Sequence, residues 1–302
     1  MSKADDSFLT PEQHEEVRQH ARRALEAADA VGVYPTPVGQ VLEQAKVVVA
    51  PEDALDESFL ARIRRKAGSA LKQALSKVLG VFDAKARLVY IDRAVHIAKQ
   101  TFLKLHEAGH AVLPWQRDLY GVIEDCGQTL DPDVAEEFER EANVFASEVL
   151  FQNDAFTREA ADRTFGIRVP LELAKRYGAS AYSAVRRYVS THHKACAVLV
   201  LNPPEIAPGD GFVATLRRAI VSPHFSEQFG NLLWAETYTP DDRFGAMIPM
   251  GGRRMSRPRT CTLTDRNGLS HECVGEAFTT GYQVFILIRP VCSLGRVTLM
   301  VP

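Results

Sequence analysis

The sequence predicts an α+β protein of 302 residues, helical over roughly its first two thirds and rich in strands thereafter. Three observations lead there. Apolar residues recur at helical spacing in successive segments up to residue 192. From Cys196 onward, short strand-like runs alternate with Pro and Gly. Hydrophobic residues make up 46% and charged residues 25% of the chain, which excludes a disordered, collagenous or coiled-coil protein. At roughly 150 residues per domain the length suggests about two domains. The expected layout is an N-terminal helix at 1–34, a mostly helical domain with a small sheet at 35–160, a helix pair at 161–194, and a mostly β or α+β domain at 195–302.

The elements follow in order. Thr10 can cap a first helix, Pro11 suits its first position, and Gln13 closes a capping box. Val17, Ala21, Ala24, Leu25 and Ala28 give its apolar face, and Gly32 with the Tyr34–Pro37 turn ends it. A short helix capped by Thr36 and a strand-like KVVVA come next. Residues 58–80 read as a helix. Gly80–Phe82 and Arg87–Ile91 read as two strands around a loop. Asp92 can cap a helix that Pro114 ends, and Asp131-Pro132 opens another long helix. Residues 165–192 read as two helices around Tyr177–Ser180. In the last third AVLVL, RRAIV, FGAMIP, CTLT and VFILI are the strand candidates.

The formal net charge is −2, so no global basic field points to nucleic acid. The five cysteines (Cys126, Cys196, Cys261, Cys273, Cys292) are odd in number and none is spaced CxxC, which fits buried, reduced thiols in a cytoplasm. The start lacks the apolar region of a secretory signal, and the longest aliphatic run, VFILI, is far too short to cross a bilayer.

His106-Glu107-Ala108-Gly109-His110 is an HExxH motif. Histidines at i and i+4 share one helical face, so both imidazoles can reach one ion. Zinc suits such a site because it lowers the pKa of a bound water and polarises a carbonyl. Glu107 is placed to take the water's proton and pass it to a leaving amine. A catalytic zinc needs a third protein ligand and an open position. The helix after Pro132 offers Glu136, Glu137, Glu139 and Glu141. At about 100° per residue its apolar side chains span an arc of roughly 160°. Glu139 falls inside that arc, and the other three fall on the wetter side. A carboxylate inside an apolar arc must be neutralised or coordinated, which selects Glu139, with an arginine ion pair as the alternative. Asn143, one turn further on, is placed to hydrogen-bond a ligand histidine.

HEAGH followed by Glu139-Arg140-Glu141-Ala142-Asn143-Val144-Phe145-Ala146 resembles the ImmA/IrrE family of bacterial metallopeptidases, as does the strand-like RLVYID before the motif. The likeness covers roughly residues 35–190. It implies a zincin-like fold and one zinc ion per chain, held by His106, His110 and Glu139, with Glu107 as the acid/base. It also implies a cytoplasmic regulatory protease whose substrate is a repressor of the helix-turn-helix class, in a phage, mobile-element or stress response. The chain departs from the family at Val149-Leu150-Phe151-Gln152, where Leu-Leu-Met-Pro is usual.

A substrate peptide is expected to add as a strand beside the motif helix. Arg87, Leu88, Val89, Tyr90 and Ile91 are the candidate edge, with a plain core strand as the equal alternative. Tyr120, His192 and His193 are candidate oxyanion donors, and the sequence does not choose among them. Leu171–Tyr188 resembles a helix-turn-helix, with Gly178 in the turn and Ser180 as a cap. Lys175, Arg176, Arg186, Arg187 and Lys194 are its phosphate-facing candidates. Packing on the protease or on protein partners is the leading expectation for this segment, and DNA binding the lesser one. Arg253, Arg254, Arg257 and Arg259 make a basic stretch that reads as a solvated loop. By analogy with longer family members, the tail is expected to sense a signal or recognise substrate. The oligomeric state is not legible.

Overall fold

A computed structural model describes residues 9–49, 80–83, 87–91, 96–119, 131–207, 209 and 211–291. Residues 58–79 of an expected helix, the Asp92 cap, Tyr120, Cys126 and Cys292 lie outside these residues. The chain divides into two compact units. One comprises Asp5–Phe156 with Leu173–Ser183, the other Thr157–Glu172 with the chain from Ala184 onward. The division therefore runs through the helix-turn-helix-like segment.

In the first unit, α1 (Pro11–Ala27) starts with the predicted capping box. The Thr10 hydroxyl accepts from Gln13 N at 3.3 Å, and Thr10 N donates to Gln13 Oε1 at 3.0 Å. Its buried stripe is Val17, Ala21 and Leu25. The helix belongs to this unit rather than standing apart as a separate segment. Gln13 donates to Glu137, and Arg18 pairs with Glu148 and Asp154.

α2 (Val38–Gln44) has no side-chain cap. Thr36, expected to cap it, instead donates to the carbonyl oxygens of Val149 and Leu150 at 3.3 and 3.4 Å. Those carbonyls close α4 (Pro132–Leu150) and need donors that the helix cannot supply. Gln152 explains the departure from the family pattern. It sits at φ 50°, which proline cannot adopt. Its amide donates to Ala30 O, Val33 O and Thr36 Oγ1, and accepts from Gly32 N.

The small sheet contains β1 (Val48–Val49), β2 (Gly80–Asp83) and β3 (Leu88–Ile91) in the order β1-β3-β2. β3 pairs in parallel with β1 and antiparallel with β2. α3 (Ile97–Val112) packs on this sheet and on α4. Leu113 is extended at φ −70°, ψ 114°, as the residue before a proline prefers. Residues 114–119 are helical again, so Pro114 ends one helix and opens the next. Asp131 caps α4 through Asp133 N at 2.9 Å, as its sequence predicts.

α5 (Ala155–Ala161), α6 (Arg168–Tyr177) and α7 (Ala181–Ser190) follow. The α6–α7 turn has the predicted chemistry: Gly178 lies at φ 65°, and Ser180 Oγ accepts from Ser183 N at 3.0 Å. α7 buries Ala184, Val185, Arg187, Tyr188 and Val189. Arg187 is therefore not the exposed phosphate contact that its type suggested.

The second unit holds a six-stranded antiparallel sheet in the order β6-β5-β4-β9-β8-β7. Its strands are β4 (Ala197–Leu201), β5 (Ala214–Val221), β6 (Thr237–Tyr238), β7 (Arg259–Thr264), β8 (Ser270–Thr279) and β9 (Val284–Pro290). β4 and the first five residues of β9 are wholly buried, which explains their unbroken aliphatic runs. α8 (Pro223–Phe229) adds Phe225 and Phe229 to the core. FGAMIP is not a strand but a 3₁₀ turn at Gly245–Met247. Phe244 and Met247 both turn into the core, a three-residue spacing that suits such a turn. β8 escaped the sequence reading because its buried residues, Cys273, Gly275 and Ala277, are small and give a weak alternation.

Candidate metal centre

The centre is built on α3, whose residues Leu105–Ala111 are all buried. The i, i+4 spacing puts the His106 and His110 rings on one face, with their Nε2 atoms 3.3 Å apart. Gly109, between them, faces α4. A Cβ there would lie 3.2 Å from both Ala142 Cα and Phe145 Cδ1. The bare glycine thus lets α4 come close enough for Glu139 to reach the histidines. Its carboxylate stands 3.2 Å from His106 Nε2 and 3.6 Å from His110 Nε2.

The tautomers follow from the partners. His106 Nδ1 faces Asn143 Oδ1 at 3.1 Å, and His110 Nδ1 faces Gln116 Oε1 at 2.7 Å. Both partners are oxygens that only accept, so Nδ1 of each ring carries a proton and Nε2 is the nitrogen turned toward Glu139. Two imidazole nitrogens and a carboxylate converge, with all their ligand atoms within 4.8 Å of one another. Ligands about 2.0–2.1 Å from a tetrahedral zinc lie about 3.3 Å apart, so this donor set fits zinc in both chemistry and spacing. Burial holds His110 down to about 4, with the like charge of His106 adding to the effect. Burial opposes ionisation of Glu139, but the His106 hydrogen bond and both histidines outweigh it and bring the carboxyl down to about 2. Glu107 is buried, and burial, helped by the Glu139 charge and opposed by His106, pushes its carboxyl up to about 7.

Glu139 is the carboxylate brought to the histidines, though the burial argument behind its selection does not hold. Its side chain is 57% exposed, whereas Glu141, assigned to the wetter side, is buried. Exposure of the third donor leaves the group open on one side, as a catalytic ion requires.

The remaining candidates fare differently. β3 is the middle strand of its sheet: Leu88–Ile91 all pair with β2, and Leu88 and Val89 pair with β1 as well, so among the described residues those two positions are not a free edge. Arg87 donates to Ala45 O and Lys46 O at 2.7 and 3.1 Å, closing the end of α2. Tyr120 lies outside the described residues. His192 and His193 belong to the other unit. There His192 is buried against Phe165 and Tyr188, and its Nδ1 accepts from Lys194 N at 2.9 Å.

The sequence reading missed Gln116, Trp115 and the role of Glu141. Gln116 Nε2 donates to Phe138 O at 3.2 Å and to Glu141 Oε2 at 2.6 Å, and Trp115 Nε1 donates to the same oxygen at 2.7 Å. No spacing rule points to Gln116, because the break at Leu113-Pro114 is what turns it back toward His110.

Residues 68–188 match the family described as the IrrE N-terminal-like domain, Peptidase_M78. This segment belongs to the ImmA/IrrE family. HEAGH, Glu139 and Asn143 all lie within the matched residues. The fold is similar to that of a Mycobacterium tuberculosis transcriptional regulator, with a TM-score of 0.50 at 13% identity over 94% of this chain and 76% of that one. At that identity the likeness is one of fold alone. Comparison with curated proteins finds no match. Among the described residues no helix is long and apolar enough to cross a membrane.

Proposed function

We propose that this protein is a zinc-dependent endopeptidase that cuts a protein substrate, a transcriptional repressor of the helix-turn-helix class. The observation that carries the reading is the convergence of His106, His110 and Glu139 beside the buried Glu107. The IrrE-like domain supports peptidase chemistry, and the regulator with a similar fold supports a role in transcription. The buried free thiols of Cys196, Cys261 and Cys273 are in keeping with a cytoplasmic setting.

His106, His110 and Glu139 would hold one zinc ion. When bound, it supplies Lewis acidity to the attacking water and the scissile carbonyl. Glu107 takes the proton of the attacking water and delivers it to the departing amine nitrogen. Burial raises the Glu107 carboxyl above the usual carboxylate range, which makes it a stronger base for that proton. Asn143 and Gln116 hold the two imidazoles in the tautomer that leaves Nε2 free.

The test is Glu107→Gln, assayed for cleavage of helix-turn-helix repressors offered as substrates. The variant keeps its zinc and loses cleavage by about 10²–10⁴-fold, the usual worth of a general acid/base. Cleavage at the wild-type rate would refute the mechanism. A DNA-binding regulator with a structural metal has less support, since α7 buries Arg187 and most of its apolar face. A salt-sensitive gel shift with operator DNA would revive that reading.

A further inference from the structure

Glu141 is a buried carboxylate outside the ligand group. Its Oε2 accepts from Gln116 Nε2 at 2.6 Å and from Trp115 Nε1 at 2.7 Å. We infer that Gln116 and Glu141 are positioning residues that lock His110 in its metal-binding tautomer. The inference rests on the metallopeptidase reading for the identity of the ion.

The argument turns on which way round one amide sits. Gln116 is itself fully buried, at 0% exposure. Its NH₂ gives one hydrogen to Phe138 O and one to Glu141 Oε2, so both of its donors are engaged by acceptors. The amide oxygen is then the only group left to face His110 Nδ1, at 2.7 Å. A rotated amide would set its one oxygen against the oxygens of Phe138 and Glu141. It would also point N–H at His110 Nδ1, which must then be bare, moving the ring proton to Nε2. That nitrogen would no longer be free for an ion. Glu141 therefore fixes the histidine through Gln116 without touching it. The charge-assisted bonds to the carboxylate are the stronger ones in the chain. Trp115 helps hold Glu141 in place, and its ring meets His20 of α1 edge-on at 5.4 Å.

The experiment measures zinc affinity of the full chain by competition with a chelator. Gln116→Leu is expected to raise the zinc dissociation constant about 10–100-fold, the usual effect of removing a partner behind a ligand histidine. Glu141→Leu is expected to weaken binding in the same direction. Glu141→Gln is expected to stay within about threefold of wild type, because its amide oxygen still accepts from Gln116 and Trp115. Thermal melts of the zinc-free proteins show whether each variant folds, and Glu141→Leu serves if Gln116→Leu does not.

Trp115 supplies a second readout. The chain has two tryptophans, so Trp234→Phe leaves Trp115 as the reporter. Zinc is expected to change its emission, and Gln116→Leu to remove that change at saturating zinc. Wild-type affinity in both Gln116→Leu and Glu141→Leu would overturn the inference alone. Absence of zinc binding by the wild-type chain would instead overturn the reading beneath it.

Discussion

The Nε2 atoms of His106 and His110 stand 3.3 Å apart, and the Glu139 carboxylate faces both, at 3.2 and 3.6 Å. One cation placed among them would satisfy two imidazole lone pairs and a carboxylate at once.

The first prediction concerns metal content. Wild-type protein is expected to carry one zinc per chain. His106→Ala and Glu139→Ala are expected to lose at least about 10-fold in affinity, since each removes one of three protein ligands. Elemental analysis after dialysis measures this. Full zinc occupancy in Glu139→Ala would reassign the third ligand.

Gly109 tests the approach of the two helices. An added Cβ meets Ala142 Cα, a backbone atom that cannot swing away, and the Phe145 ring, both at 3.2 Å. Gly109→Ala is expected to shift α4 by tenths of an ångström and weaken zinc binding. Its overpacking cost is about 1–3 kcal/mol. Gly109→Val is expected to be worse than Gly109→Ala in both melting temperature and zinc affinity. Equal zinc affinity in all three proteins would show that close packing here is not what delivers Glu139.

In the second unit, Gly245 lies where a Cβ would sit 1.8 Å from Thr239 O and 2.7 Å from Thr239 C. No rotamer relieves a clash with backbone. Gly245→Ala is expected to destabilise this unit by more than about 2 kcal/mol, with the 3₁₀ turn displaced. Denaturant melts give the cost. A loss below about 0.5 kcal/mol, the range of neutral surface changes, would contradict the packing seen around the turn.

His192 gives a pH dependence. An unfolded histidine titrates near 6.5. In the fold, burial holds His192 down to about 4, with His193 and Lys194 adding to the effect. Protonation also removes the acceptor that Nδ1 offers Lys194 N. The folded state thus binds the proton less readily than the unfolded chain. Its contribution is intact above about pH 6.5, declines as pH falls toward about 4, and changes no further below that. The slope from this one group is at most about 1.4 kcal/mol per pH unit. His192→Gln removes it, so the stability gap between wild type and variant should narrow from pH 7 to pH 4. A constant gap would mean that His192 takes up its proton alike in the folded and unfolded chain, and so is not held neutral by the fold.

What could be read along the chain was whatever depends on spacing within one element. The Thr10–Gln13 capping box, the Asp131 cap, the i, i+4 histidines and the Gly178–Ser180 turn all recur in the structure as their local chemistry dictates. Glu139 was reached from helical phase, though by a burial argument that the structure reverses. The helical wheel treats α4 as if one uniform surface covered it. In the fold its face is covered unevenly, so Glu141 lies in and Glu139 lies out.

Read along the chain alone, the residues establish the helix that carries HEAGH, the facing of its two histidines and the α+β character of the chain. Helical period, cap chemistry and aliphatic runs are local and survive without knowledge of what packs where. Only the tertiary structure decided that Thr36 ties down the end of α4, that β3 is a centre strand, and that Gln116 and Glu141 stand behind His110. Those outcomes depend on which distant segment arrives at a given group. A buried donor or acceptor must find a partner, but nothing in its own neighbourhood along the chain says which.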